Sequence, residues 1–289
     1  MRVALVVNPS SGSSDPEVLE RVEDTLGALG EVSIVAPATI DEFDGMVADA
    51  ARRSDLTVVA GGDGTMNRTV NAVAQHLQDV VLGLVPMGTG NDLARTLELP
   101  PDPLGAARAL VAGGVRELDV GRASGTDAER IFLNACIGGF PIEVNEAIDD
   151  DLKRRLGPGA FWVGGAKTAT ELTRTTVRMD GVELPDCVAA GVGNGKTCGG
   201  GIAIWPSAVP DDGLLDGCAL AASGHAAGLR LATKIKGGAH EELDSVRTRR
   251  APCIRIESEP AIEINVDGEL VGLTTPATFE LAGRVGVRC

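Results

Sequence analysis

The chain has 289 residues with a formal net charge of -15, and 44% of its residues are hydrophobic while only 2% are aromatic. This length and apolar content favour two folded domains with aliphatic cores over a disordered chain. The negative charge repels nucleic-acid phosphates and few aromatic rings are present to stack bases, so we expect no nucleic-acid partner.

Lysine is scarce, occurring only at positions 153, 167, 196, 234 and 236. An acidic chain with few lysines is typical of proteins from a high-salt cytoplasm, so we expect a halophilic source. No two of the six cysteines have CxxC spacing, and neither a signal peptide nor a membrane-spanning apolar run is visible. We therefore predict a cytoplasmic protein with reduced thiols, whose contact with a membrane would be peripheral.

The first part of the chain alternates between aliphatic runs and segments with helical spacing. This alternation predicts a parallel sheet with helices on both faces. The predicted strands are 3–7, 32–35, 56–60 and 80–85, and the predicted helices are 16–29, 41–53 (with Asp41 as N-cap) and 66–77.

From about residue 115 onward, short alternating segments are separated by turn residues, which predicts an antiparallel β domain. The predicted strands are 115–123, 130–137, 175–180, 186–193, 214–221, 252–257 and 261–266, with helices near 143–155 and 224–237.

A glycine-rich turn, Gly61-Gly62-Asp63-Gly64-Thr65-Met66-Asn67, follows a predicted strand and precedes a predicted helix. Glycines let the backbone approach a phosphate, and the helix N-terminus favours negative charge. Thr65 can donate a hydrogen bond to a phosphate oxygen. Asp63 would repel phosphates without a cation between them, so we interpret it as an organiser of Mg²⁺–ATP; the alternative is that it caps the helix.

Two further loops follow strands in the same way. In Gly88-Thr89-Gly90-Asn91-Asp92, Thr89 can bind a phosphate and Asn91 or Asp92 can cap the next helix, although an ordinary capped turn is an alternative. In Asn8-Pro9-Ser10-Ser11-Gly12, polar side chains can contact phosphates or the ribose. Because ligands of open α/β sheets bind at the carboxyl ends of the strands, all three loops would reach one edge.

The three loops, in this order and spacing, resemble those of the diacylglycerol kinase catalytic domain family, which includes sphingosine kinases, ceramide kinases and bacterial lipid kinases. The resemblance covers essentially the whole chain. It continues through Leu118-Asp119-Val120-Gly121, Phe132-Leu133-Asn134, Gly191-Val192-Gly193-Asn194-Gly195, Gly199-Gly200-Gly201, Pro210–Asp216 and Val266-Asp267-Gly268-Glu269.

The resemblance implies an ATP-binding α/β domain at 1–121, completed by about 275–289, and a β-sandwich domain at 122–274. It implies ATP and Mg²⁺ as cofactors, Glu269 as the catalytic base, and Asp63 and Asp267 as further catalytic residues. The nucleotide contacts that the resemblance implies are Thr39, Gly61, Gly62, Asp63, Gly64, Thr65, Met66, Asn67 and Thr89, and the interpretation of the loops adds Asn8, Ser10, Gly12, Gly88 and Asn91. The implied metal ligands are Asp212 with the carbonyls of Val209 and Leu214.

The chemistry agrees with Glu269 as the base, since a carboxylate can accept the proton of a lipid hydroxyl during phosphoryl transfer. On sequence alone, Asp267-Gly268-Glu269 is a hairpin turn.

Two positions depart from the family pattern. Arg68 stands where an acidic residue is usual, and either reaches a phosphate or is surface charge; the segment 194–198 lacks a usual aromatic residue.

Three functions are compatible with these motifs. The first is transfer of the γ-phosphoryl group of Mg²⁺–ATP to a diacylglycerol-like or other lipid alcohol. The second is NAD kinase activity, since that family shares the Gly-Gly-Asp-Gly-Thr turn, and the third is nucleotide binding without catalysis.

A basic cluster at Arg247, Arg249 and Arg250, with Lys234 and Lys236 before it, is either a membrane-facing patch or a solvated face. The resemblance also makes a homodimer an expectation.

Overall fold

The computed structural model describes residues 1–8, 15–139 and 174–289. Two predicted nucleotide contacts, Ser10 and Gly12, and the predicted helix near 143–155 lie outside these residues. The chain forms two compact units. The first unit contains residues 1–120 and 282–289, and the second contains residues 121–281.

The first unit is built on a parallel sheet in the order β2-β1-β3-β4, and the last residues of β15 pair in parallel with β4. Its strands are β1 (Arg2–Val7), β2 (Glu31–Val35), β3 (Leu56–Gly61) and β4 (Val81–Pro86). Its helices are α1 (Pro16–Leu26), α2 (Ile40–Arg53), α3 (Asp63–Ala72), α4 (Asp92–Thr96) and α5 (Pro103–Ala112).

Helices cover both faces of this sheet. Val3 and Leu5 of β1 pack against α1 and α5, whereas Ala4 and Val6, which alternate with them, pack against α2. Successive side chains of a strand point to opposite faces, so a strand covered on both sides must be apolar throughout. The predicted parallel α/β architecture is therefore confirmed. The helix predicted at 66–77 instead begins at Asp63 and ends at Ala72, because the glycine-rich turn itself forms the first helical turn.

The second unit is an antiparallel β-sandwich with one described helix, α6 (His225–Lys236). Its strands are β6 (Glu129–Phe132), β7 (Ala135–Gly139), β8 (Thr175–Met179), β9 (Val182–Gly193), β10 (Leu215–Ala221), β11 (Val246–Ala251), β12 (Cys253–Glu259), β13 (Glu263–Val266) and β14 (Glu269–Thr274). Strands β5 (Val115–Ser124) and β15 (Ala277–Arg288) contribute residues to both units.

Alternate residues of β10 separate two cores of the second unit. Ala219 lies in the cluster that contains Phe132 and Ile254, while Cys218 and Leu220 lie in the cluster that α6 joins. The predicted antiparallel β domain is confirmed. Within the described ranges, no helix is both long enough and apolar enough to cross a membrane.

Candidate functional site

Two glycine-rich loops meet at the carboxyl edge of the parallel sheet in the first unit. The loop after β3 is the turn at residues 61–65, which runs from the end of β3 into the first turn of α3, and the loop after β4 is residues 87–91, which lead into α4. The backbone N–H of Met87 donates to the carbonyl of Gly61 at 3.0 Å. A Cβ atom placed on Gly88 would lie 2.6 Å from the Cα atom of Gly62. The loops therefore touch backbone to backbone, and a side chain on Gly88 would separate them.

Asp63 binds the second loop to the first. Its Oδ2 accepts a hydrogen bond from the backbone N–H of Asp92, and its Oδ1 accepts one from Leu93, each at 3.0 Å. Asp63 thus caps α4, whereas the sequence suggests that it caps the helix it begins. Its predicted role as an organiser of Mg²⁺–ATP stays a prediction.

The N-terminus of α3 has the features of a phosphate-binding site. Its N-cap is Gly62, which has extended backbone and no side-chain cap. Thr65 lies in the first turn and is partly exposed, and Asn8 Nδ2 donates to Thr65 Oγ1 at 3.4 Å. Since the first amides of a helix and its dipole attract anions, Asn8 and the loops after β3 and β4 together present donors suited to phosphate.

Asn91 shapes the second loop. It adopts left-handed backbone with φ 51°. Its side-chain Oδ1 accepts from Gly88 N at 3.0 Å, and its Nδ2 donates to Gly88 O at 2.6 Å. These bonds close a tight turn that leaves Thr89 exposed at the tip. Thr89 can therefore contact a ligand with its hydroxyl, while Asn91 acts through the shape of the loop.

Other members of the predicted nucleotide set have structural partners. Met66 and Asn67 are each 1% exposed within α3, so a ligand would meet their backbone rather than their side chains. Thr39 Oγ1 accepts from Glu42 N at 3.3 Å. Thr39, and not Asp41, is therefore the N-cap of α2. The places of these residues in a nucleotide site stay predictions.

Arg68, which departs from the family pattern, is held against α2. It donates to Asp44 at 2.8 Å and to the carbonyl of Ile40 at 2.6 Å. Its guanidinium lies 5.3 Å from the centre of the Phe43 ring. These contacts support the interpretation of Arg68 as surface charge.

In the second unit, Asp267 and Gly268 form the turn between β13 and β14. Both have left-handed backbone, with φ 46° and 93°, as a two-residue type I′ turn requires. The carboxylate of Asp267, which is 7% exposed, accepts three backbone N–H bonds. The donors are Leu133 at 2.8 Å, Asn134 at 3.0 Å and Ala135 at 2.8 Å. Asp267 thus fixes the hairpin, and its predicted catalytic part stays a prediction.

Glu269 differs from Asp267 although only one residue separates them. It begins β14 and is exposed, and within the described residues its carboxylate has no hydrogen bond or ion pair. A rigid turn therefore presents an uncommitted carboxylate to solvent.

Two buried asparagines brace the segment that holds Asp267, and the sequence did not single them out as site residues. Asn194 Nδ2 donates to the carbonyl of Leu133 at 2.8 Å, and Asn134 Nδ2 donates to the carbonyl of Thr197 at 2.8 Å. Both lie within motifs that carry the family resemblance, which is the signal that could have indicated them. Their amides order the backbone that donates to Asp267.

At the expected metal position, an arginine side chain already contacts the carboxylate of Asp212. Asp212 Oδ1 accepts from Leu214 N at 3.0 Å, and its Oδ2 contacts the guanidinium of Arg250. In the described part of the chain, no three His, Cys, Asp or Glu side chains are grouped to hold a metal. With Arg250 on the carboxylate, Asp212 and the carbonyls of Val209 and Leu214 do not fit a resident Mg²⁺. No catalytic step is assigned to a metal there.

An α/β unit with paired glycine loops, followed in the same chain by a β-sandwich unit, defines a class of kinases. Residues 2–123 match the diacylglycerol kinase catalytic domain, and residues 137–285 match the YegS C-terminal NAD kinase beta sandwich-like domain. The chain belongs to the diacylglycerol kinase catalytic domain family of lipid kinases.

Individual relatives agree over most of their length. The chain is 33% identical over 261 residues to a Xanthomonas oryzae pv. oryzae protein named "Probable lipid kinase YegS-like", covering 86% of this chain and 84% of that protein. It is 30% identical over 292 residues to the diacylglycerol kinase of Staphylococcus epidermidis, covering 96% and 88%. A crystal structure of a diacylglycerol kinase from Bacillus anthracis str. Sterne superposes with a TM-score of 0.78 at 27% identity, covering 99% of this chain and 96% of that chain.

Proposed function

We propose that the protein transfers the γ-phosphoryl group of Mg²⁺–ATP to the hydroxyl of a lipid alcohol of the diacylglycerol type. The observation that carries the proposal is the contact between the Gly62 and Gly88 loops beside the uncapped start of α3. The names of the relatives, a YegS-like lipid kinase and a diacylglycerol kinase, support the substrate class.

The first unit would bind the nucleotide. Backbone N–H groups at the start of α3 and the hydroxyls of Thr65 and Thr89 supply hydrogen-bond donors for phosphate oxygens. Asn8 reaches the same place from the end of β1. Mg²⁺ enters as part of the substrate complex with ATP and neutralises phosphate charge. Asp63 holds the two loops together around this site.

Glu269 would accept the proton of the acceptor hydroxyl. As that proton passes to the carboxylate, the hydroxyl oxygen bonds to the γ-phosphorus and the bond from phosphorus to the β,γ-bridging oxygen breaks, so that ADP leaves. The exposed carboxylate supports this role, because no hydrogen bond or ion pair from the described residues would have to break before it accepts a proton. Asp267 would act as a positioning residue that keeps the turn rigid.

Peripheral membrane contact follows from a lipid acceptor, but the arginine cluster gives it little support. Arg249 pairs with Asp180 at 2.9 Å, and Arg250 contacts Asp212. Their charges are therefore compensated within the unit. We keep a cytoplasmic location with peripheral contact, and a homodimer, as proposals that vesicle sedimentation and light scattering would test.

The test uses purified protein, radiolabelled ATP and three acceptors in high salt: diacylglycerol micelles, a total lipid extract and NAD. We expect label in a lipid product. Glu269→Gln should retain nucleotide binding and lose about 100-fold or more of the turnover. Glu263→Gln, an exposed glutamate in the partner strand of the same hairpin, is the matched control and should retain full activity.

Other outcomes decide against the proposal. Label in NAD alone would establish an NAD kinase, a function favoured by the match of the sandwich to an NAD kinase-like domain. Nucleotide binding without transfer to any acceptor would indicate a protein that has lost catalysis. Full turnover of Glu269→Gln would remove Glu269 as the base.

A further inference from the structure

Arg250 lies beside two carboxylates near the start of β10. Its guanidinium contacts Asp212 in the turn before the strand, and its Nε lies 3.6 Å from Asp216 Oδ1 in the strand itself. The side chains of Asp212 and Asp216 are 25% and 14% exposed. One cation thus compensates two partly exposed negative charges that lie four residues apart.

The sheet fixes Arg250 in this position. Strands β10 and β11 pair antiparallel, and Asp216 and Arg250 are direct cross-strand partners. Asp216 Oδ2 is buried and has no hydrogen-bond partner among the described residues. Arg250 is therefore the cation that offsets the burial of Asp216, and backbone pairing rather than a flexible side chain alone keeps it there.

We propose that Arg250 supplies the positive charge that a bound divalent cation would otherwise provide in the second unit, so that the loop of residues 209–216 folds without bound metal. An oxygen-rich loop with two nearby carboxylates needs a positive charge, and either a divalent ion or a guanidinium can supply it. In this chain the guanidinium is covalently part of the fold. The inference concerns the loop alone and does not depend on which acceptor the protein phosphorylates.

The proposal predicts an exchange of one cation for another. Removing Arg250 leaves Asp212 and Asp216 uncompensated, which destabilises the loop and creates affinity for a divalent ion. The full chain, without nucleotide or lipid, is unfolded thermally at constant ionic strength in EDTA, in MgCl₂ and in CaCl₂. Binding of Mn²⁺ is followed by electron paramagnetic resonance.

We expect the midpoint of the wild-type protein to stay within about 1 °C in all three solutions. Arg250→Ala should lose about 2–4 °C in EDTA and recover part of that loss with Ca²⁺ or Mg²⁺, together with measurable Mn²⁺ binding. Adding Asp212→Asn to that variant should abolish the recovery. Arg249→Ala is the matched control: it lies next in the strand and pairs with Asp180, and should gain no response to metal.

Two results would contradict the proposal. A wild-type protein that is stabilised by the metal and binds Mn²⁺, with both effects lost in Asp212→Asn, would overturn the proposal. This comparison remains decisive if Arg250→Ala does not fold. An equal response of wild type, Arg249→Ala and Arg250→Ala to metal would also overturn it, because the effect would then belong to the acidic surface as a whole.

Discussion

Asp63 and Asp92 are joined across the two glycine-rich loops: Oδ2 of Asp63 accepts the backbone N–H of Asp92 at 3.0 Å, and its Oδ1 accepts that of Leu93 at the same distance. The charged acceptor satisfies the start of α4 and fixes the distance between the loops. Two loops held in this way are ordered before a ligand arrives, so less ordering free energy would be lost if a phosphate group bound there.

Asp63→Asn should weaken both the fold and nucleotide binding. Asparagine retains one acceptor oxygen but turns an NH₂ group toward the second backbone N–H. We expect a loss of about 2 kcal/mol in the free energy of unfolding, measured by urea denaturation, and weaker nucleotide binding in a titration.

The matched control is Asp102→Asn, because Asp102 caps α5 through Gly105 N at 2.7 Å. It should cost about 1 kcal/mol of stability and leave nucleotide affinity unchanged. If Asp63→Asn instead kept its stability and its nucleotide affinity but lost turnover, Asp63 would act on Mg²⁺–ATP and not on loop geometry.

Gly88→Ala should separate the loops. The added Cβ would lie 2.6 Å from Gly62 Cα and 2.9 Å from Asn91 Oδ1, and backbone must move to relieve the first contact. We expect about 1–3 kcal/mol of destabilisation and a marked loss of nucleotide affinity.

A second glycine provides the control of opposite sign. Gly45 lies within α2, and a Cβ there meets no atom of the described residues within 4 Å. Gly45→Ala should stabilise the protein by about 0.5–1 kcal/mol with unchanged affinity. Wild-type affinity in Gly88→Ala would show that the loop contact does not matter for the ligand.

The fold was largely predictable because its strongest signals are local. The continuous aliphatic runs of β1 and of β3, which ends at Gly61, indicate buried parallel strands without knowledge of the tertiary structure. Strand β11 was missed because four of its six residues are exposed and three are arginine. A polar edge strand forms through pairing with β10, which is tertiary information.

The partners of the site residues were less predictable. Glycine turns indicate phosphate loops by themselves, but nothing local shows that Asp63 bonds to residues 29 and 30 positions away. Likewise, Arg250 reaches Asp212 across 38 positions. Asp267 and Glu269 belong to one short motif, yet folding gives the first three backbone donors and leaves the second exposed.

Thiol labelling should follow burial and pH. Burial raises the pKa of Cys136 and Cys218 well above the usual range and raises that of Cys187 to about 12. These thiols stay protonated in the folded protein near pH 8. Cys253 is exposed, although partial burial, and then Glu280 and Asp180, raise its pKa as well.

We therefore expect Ellman's reagent to modify Cys253 and the partly exposed Cys289 in the native protein. The reaction of Cys253 should accelerate about tenfold per pH unit between pH 7 and 8.5, because the thiolate fraction rises below the pKa. Unfolding in urea should release all six thiols. Peptide mapping that found native Cys136 modified at a comparable rate would contradict this burial.

Asp267→Ala should unfold the hairpin that carries Glu269. Three buried N–H groups lose their acceptor, so we expect a loss of at least about 3 kcal/mol in the free energy of unfolding. Glu269→Gln, at an exposed position, should change it by less than about 0.5 kcal/mol. Denaturation curves of the two variants then separate a structural carboxylate from an uncommitted one within a single turn.

A second turn of the same type serves as the control. Asp180 and Gly181 join β8 to β9 with φ 46° and 83°, and Asp180 accepts one backbone N–H, from Arg255 at 2.9 Å. Asp180→Ala should cost about 1 kcal/mol and leave turnover intact. If Asp267→Asn were as stable as wild type but inactive, Asp267 would take part in the reaction itself. If the variant instead lost stability and turnover together, and activity returned at a lower temperature at which the variant folds, the role of Asp267 would be to position Glu269.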